Sequence, residues 1–282
     1  MKKYILPLFI VLITLPGCEG TLYKFLYNSM DSIVYRMVAD YTDPKPDQEL
    51  LLRQKIAAFM QWHRGRELPR YAETLRELRS RMAAGLRESD LAWMRQRLER
   101  HGVDLFNATS GNVVDYLLSL DRGQLDRMER KFGESIAKME KESAVSDEKR
   151  FREMERTTAR MMEFLYGTLT EKQRDEIARG VRRVDNLDRE RIRMYRERQA
   201  EFITLLRGRP DKDGLKEYIR RMTIDSERSY PDYYRERSER RDRAVAGAFL
   251  RFDRELVTPD QRAHAVKKID MLIQALKELS AG

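Results

Sequence analysis

Cysteine is almost missing from this chain: Cys18 is the only one among 282 residues. That excludes disulfide staples, multi-cysteine metal centres and thiol chemistry in the body of the protein. Histidine is nearly as scarce. His63, His101 and His264 are widely spaced, with no HExxH or His-x-x-x-His pair, so the sequence carries no zinc motif. There is no Gly-x-Ser-x-Gly elbow, no Walker loop and no dinucleotide fingerprint. Asp211-Lys212-Asp213-Gly214 has the start of a calcium loop without the remaining ligands, and reads as a turn. Glycine (14) and proline (8) are sparse, and no segment alternates like a strand.

Charge is abundant instead. Charged residues make up 37% of the chain and apolar ones 41%, the balance of long solvated helices around a filled core. The 56 basic and 47 acidic residues leave a net +9, but the signs interleave, as in Arg235-Glu236-Arg237-Ser238-Glu239-Arg240. Such a field largely cancels within a Debye length, so no nucleic-acid partner is expected. The carboxylates inside these runs suit i, i+3 and i, i+4 surface pairs rather than a catalytic pair, and the chain is read as a non-enzyme without a cofactor or small-molecule substrate.

The N-terminus is the most specific segment. Lys2 and Lys3 precede an apolar stretch from Tyr4 to Leu15, closed by Leu15-Pro16-Gly17-Cys18. The run is too short for a bilayer span of about 20 residues and reads as a signal peptide, residues 1–17. The ending resembles a bacterial lipobox. That resemblance implies cleavage before Cys18, a diacylglycerol on its sulfur and an N-acyl chain on its amine, anchoring the protein to a membrane. Glu19, where inner-membrane lipoproteins of enterobacteria usually carry Asp, favours the inner leaflet of the outer membrane, facing the periplasm.

Beyond the anchor, periodicity predicts an all-α, elongated bundle of about 8–10 helices, divided into an N-terminal part (18–118) and a C-terminal part with long helices (119–282), or forming one continuous domain. Leu22, Phe25, Leu26, Met30, Ile33, Val34 and Met37 form a first stripe, read as a core helix with a membrane-surface helix as the alternative. A helix from Asp47 to Arg66 follows, and Pro69 opens the next. Ser89 caps a short helix that Gly102 ends. After the turn at 143–147, a long helix is predicted from Thr170 to Arg207, kinked near Gly180 or Asn186, then helices over 213–229, 231–256 and 258–280.

One element recurs. Leu169-Thr170-Glu171-Lys172-Gln173, Val257-Thr258-Pro259-Asp260-Gln261 and Leu120-Asp121-Arg122-Gly123-Gln124 each begin a helix, and Pro44-Lys45-Pro46-Asp47-Gln48 is a degenerate fourth copy. A capping box explains them: Thr170, Thr258 or Asp121 accepts from the amide three residues on, and Gln173, Gln261 or Gln124 reaches back to the cap's own amide. The pattern also resembles the Leu-Thr-x-x-Gln repeats of the Spy and CpxP group of helical periplasmic stress proteins, which implies binding of unfolded proteins. Over nearly the full length, the order of lipobox, Leu22-Tyr23, Asp40-Tyr41, Gln48, Trp62-His63-Arg64 and Leu68-Pro69-x-Tyr71 resembles an uncharacterised family of proteobacterial lipoproteins. The expected function is a non-enzymatic envelope protein that binds other envelope proteins through an adaptable Met-rich surface including Met154, Met161 and Met162, with a structural tether as the alternative and a hydrolase of envelope polymers as the weaker third.

Overall fold

A computed structural model describes residues 25–281. Cys18 and residues 1–17, read above as a signal peptide, lie outside the described residues. Among these the protein is all-α, as the periodicity predicts, with eleven α-helices and no strand. They are α1 (Met30–Thr42), α2 (Pro46–Trp62), α3 (Leu68–Ala84), α4 (Glu88–Leu118), α5 (Arg122–Ser143), α6 (Asp147–Tyr166), α7 (Glu171–Arg182), α8 (Asp188–Arg207), α9 (Lys212–Thr223), α10 (Asp232–Glu255) and α11 (Pro259–Ala281).

Three breaks differ from expectation. Pro69 does not open a separate helix. A proline lacks the N–H for the usual bond and its ring crowds the carbonyl four residues back. Here the backbone widens into a π turn over His63–Glu67, the Leu68 N–H bonds the His63 carbonyl, and α2 runs on into α3. The helix expected to start at Ser89 and stop at Gly102 runs from Glu88 to Leu118. Its first turn is held by Asp90, which accepts from the Arg87 amide at 2.8 Å, and Gly102 sits inside it facing Ile224. The expected 170–207 helix is not kinked but interrupted at 183–187, where Leu187 is buried and the Asn186 side chain accepts from the Asp188 amide at 2.9 Å.

The apolar side chains gather into two main cores and a small third. The first joins α3 (Leu68, Ala72, Leu75, Met82) to α6, α7, α10 and α11, with α3 lying along α11. The second joins Leu52 and Ile56 of α2 and the C-terminal end of α4 to α5, α8 and α9. The third is Leu187, Met194 and Tyr234. Both large cores draw on residues from either side of position 118, so they interleave in sequence. Two stretches connect them: α2 with α3, where Met60 touches both cores, and α4, with Leu91 against the first and Val114 and Tyr116 in the second. At about 1.5 Å per residue α4 extends roughly 46 Å, long enough for that span.

The methionines expected at a binding surface divide. Met162 is buried, Met154 packs against the first core, and Met161 is exposed. Of the first predicted stripe, Leu26, Met30, Ile33 and Val34 are half-buried whereas Phe25 and Met37 are 66% and 64% exposed, and the buried side chain of this stretch is Tyr27, outside the stripe.

Candidate functional site

The four recurrent helix starts meet in two pairs. In each, the glutamine side-chain oxygen accepts from the amide of its own cap: Lys45 to Gln48 at 2.9 Å, Asp121 to Gln124 at 3.1 Å, Thr170 to Gln173 at 2.9 Å and Thr258 to Gln261 at 3.1 Å. Asp121, Thr170 and Thr258 complete the box by accepting from the glutamine's backbone amide, at 2.9, 3.3 and 3.2 Å. The glutamines then bond each other. Gln48 and Gln124 exchange side-chain bonds at 3.2 and 2.8 Å, and Gln173 and Gln261 do so at 2.7 and 2.9 Å.

The remaining N–H of each glutamine caps the end of the partner's preceding segment. Gln48 donates to the Ser119 carbonyl, Gln124 to those of Thr42 and Asp43, Gln173 to Leu256 and Gln261 to Thr168. One pair therefore closes each large core: Leu120 lies in the second, and Leu169, with Val257 packed against it, in the first. All four glutamines are buried and their hydrogen-bonding capacity is met internally. These residues hold helix starts together and offer a ligand no free group. Leu169, Thr170, Gln173, Val257, Thr258 and Gln261 are thus brought into one place, and Asp121 and Gln124 into another.

A second constellation, which sequence reasoning missed, surrounds the π turn. Glu67 is 0% exposed. Its carboxylate accepts from Arg70 at 2.8 Å and lies 3.3 Å from His101 Nδ1, while Arg70 reaches Asp104 at 2.6 Å. The Thr74 hydroxyl sits 3.0 Å from His101 Nε2. Burial pushes the His101 imidazole below its ordinary range, and the Glu67 carboxylate opposes that shift. Beside it, the Tyr27 hydroxyl is hydrogen-bonded to His63 Nδ1 at 2.9 Å, and His63 is stacked with Tyr27 and flanked by Phe59 and Tyr71. Burial lowers the His63 pKa to about 4, so it is a neutral packed imidazole, in keeping with its place on an apolar stripe. The sequence signal for this cluster is Glu67-x-x-Arg70 on one helix and His101-x-x-Asp104 on another, an i, i+3 spacing common to countless surface pairs.

Glu67, His101 and Asp104 each bring one potential ligand atom to within 4.8 Å of the others. The donor types would suit a divalent cation. The Arg70 guanidinium, however, bridges both carboxylates and supplies the positive charge there, so the geometry is that of a satisfied ion network locking the π turn to α4. His264 packs over Gly167, whose φ of 77° a side chain would strain.

A third buried carboxylate, Asp253, is also 0% exposed. Arg262 grips both its oxygens at 3.1 and 3.2 Å, the Tyr166 hydroxyl donates at 2.8 Å and the Leu86 amide at 3.0 Å. Arg262 also donates to the Met82 and Asp253 carbonyls, both at 2.8 Å. This junction ties α3, α6, α10 and α11 and is structural.

No helix among the described residues is long and apolar enough to cross a membrane. No curated protein and no solved structure matches the chain. Residues 40–235, which contain the Gln48–Gln124 pair and the Glu67, Arg70, His101 and Asp104 network, match the model of a family of unknown function, and the chain belongs to that family, DUF6279.

Proposed function

We propose that this protein is a lipid-anchored envelope protein that works by binding other proteins, with no chemistry of its own. In this reading Cys18 carries diacylglycerol and an N-acyl chain, the first seventeen residues are removed, and the folded part faces the periplasm from the outer membrane. Multiple acyl chains hold where one would be marginal, since each buried methylene contributes about 0.8 kcal/mol.

The observation that carries the binding half is the exposure of large apolar side chains on the first described turn and the first two helices. Phe25, Met37, Leu50 and Leu51 are all exposed, Leu50 at 62%, on the first described turn and on α1 and α2. Large apolar side chains left exposed on two helices that pack on each other are candidates for cover by a partner. A chaperone that takes many unfolded clients and a scaffold with one fixed partner are the two forms this binding can take.

The test is aggregation of a denatured client protein in the presence of the purified chain. Suppression near stoichiometric ratio, weakened by Phe25→Ser with Leu50→Ser, supports the reading. Suppression that the double variant leaves intact would remove these side chains from it. No suppression, together with copurification of one partner in fixed ratio, would support the structural tether instead. Palmitate incorporation into wild type but not Cys18→Ala tests the anchor separately.

A further inference from the structure

Arg152, Arg156 and Arg160 follow one another at four-residue intervals along α6, and all three are exposed. Each step of four residues advances the helix by about 6 Å, so the three guanidinium stems span roughly 12 Å on one side of it. Many of the arginines elsewhere are tied to a carboxylate, as Arg53 is to Glu49 and Arg207 to Asp126 and Glu129. Among the described residues these three form no ion pair within 4 Å, and Arg152 acts on Glu148 only through its field.

They line one side of a hollow of about 350 Å³, floored by Ala159 and bounded by Glu155, Glu163 and, from α7, Arg174. Of its two acids, one is held in an ion pair. Glu163 accepts from Arg174, and Glu155 acts electrostatically on Arg182. Arg182 is itself held by Glu148 through two bonds of 3.1 Å, which ties α7 back along α6 and fixes that wall of the hollow. The result is a small concave site with a surplus of guanidinium groups, although the charge of the chain as a whole is well mixed. A linear reading hides it, because Glu153 and Glu155 stand between these arginines in sequence.

The geometry points to a binding site for a small ligand bearing two or more phosphoryl groups, with Arg152, Arg156 and Arg160 as its donors. Guanidinium forks match phosphate oxygens two at a time, and successive forks about 6 Å apart suit neighbouring phosphoryl groups better than a lone monoanion. The hollow has room for a headgroup-sized ligand and not for a folded partner. A soluble oligophosphate and the phosphorylated headgroup of a lipid share this chemistry. The proposal goes beyond the protein-binding reading and does not depend on it.

The probes are inorganic tripolyphosphate, by titration calorimetry on the purified protein, and vesicles of neutral lipid with or without a bisphosphorylated lipid, by cosedimentation. Arg152→Gln/Arg156→Gln/Arg160→Gln is compared with Arg228→Gln/Arg240→Gln/Arg241→Gln, which removes the same charge elsewhere, with circular dichroism confirming that both stay folded. The expected result is binding that the first variant loses by tenfold or more and the second loses less than threefold. Binding to tripolyphosphate and vesicles alike identifies the phosphoryl group as the feature recognised, and binding to vesicles alone identifies a lipid headgroup as the source. Equal losses in the two variants would reduce the effect to net charge and overturn the proposal, as would no binding of wild type to either probe.

Discussion

Gln173 and Gln261, 88 residues apart, exchange side-chain hydrogen bonds while each also caps its own helix. Replacing either with alanine removes a capping interaction and leaves a buried amide without its partner. The first effect costs about 1 kcal/mol and the second about 1–3 kcal/mol. Urea unfolding of Gln173→Ala, Gln261→Ala and the double variant should show losses of about 2–3 kcal/mol for each single change, and a combined loss smaller than their sum by about 1 kcal/mol. Strict additivity would mean that the reciprocal bonds contribute nothing.

The capping chemistry of these pairs was legible in the sequence because it is local, a cap and a glutamine three residues on. The pairing was not. Nothing in the Thr170 segment specifies that its partner is Thr258 rather than Asp121, since that choice is made by which apolar faces pack into which core. The same division holds elsewhere. Helix faces such as Leu125, Met128 and Ile136 follow from spacing, whereas Gly102 continues a helix because α4 gains packing along its whole length that outweighs the local cost of glycine. Glu67 and Asp104 were indistinguishable from dozens of other carboxylates until the π turn placed one of them in the interior.

Asp253 is predicted to be among the least replaceable side chains. Its loss strands the Arg262 guanidinium, the Tyr166 hydroxyl and the Leu86 amide together. Removing one partner of a buried ion pair typically costs about 3–5 kcal/mol. Asp253→Ala should fall in that range by chemical denaturation, and Asp253→Asn, which keeps the shape, should cost less.

Acid should destabilise the protein partly through His63. Its unfolded pKa is 6.5 and burial lowers the folded value to about 4. The folded state therefore binds fewer protons between these values, and the stability this group contributes is full above pH 6.5 and lost as the pH falls to about 4. The whole shift corresponds to about 3 kcal/mol. His63→Gln keeps an acceptor for the Tyr27 hydroxyl. It should be less stable at pH 7 yet lose less stability than wild type between pH 6.5 and 4, with His101 retained in both proteins. Parallel stability curves would rule out this role for His63.

Gly111 lies inside α4, and a Cβ added there meets nothing within 4 Å. Glycine is less favourable than alanine in a helix interior by about 1 kcal/mol. Gly111→Ala should raise stability by roughly that amount, visible as a higher Tm without change in the far-ultraviolet helical signal. A lower Tm would show that this position meets a constraint other than the helix itself.

The central claim, that the exposed apolar side chains of the first two helices meet other proteins, is tested most directly by photocrosslinking in intact cells. A photoreactive residue at Leu50 is compared with one at Arg240, an exposed position on α10. The account predicts protein adducts from position 50 and few or none from position 240. Equal yields at the two positions, or none at position 50, would contradict it.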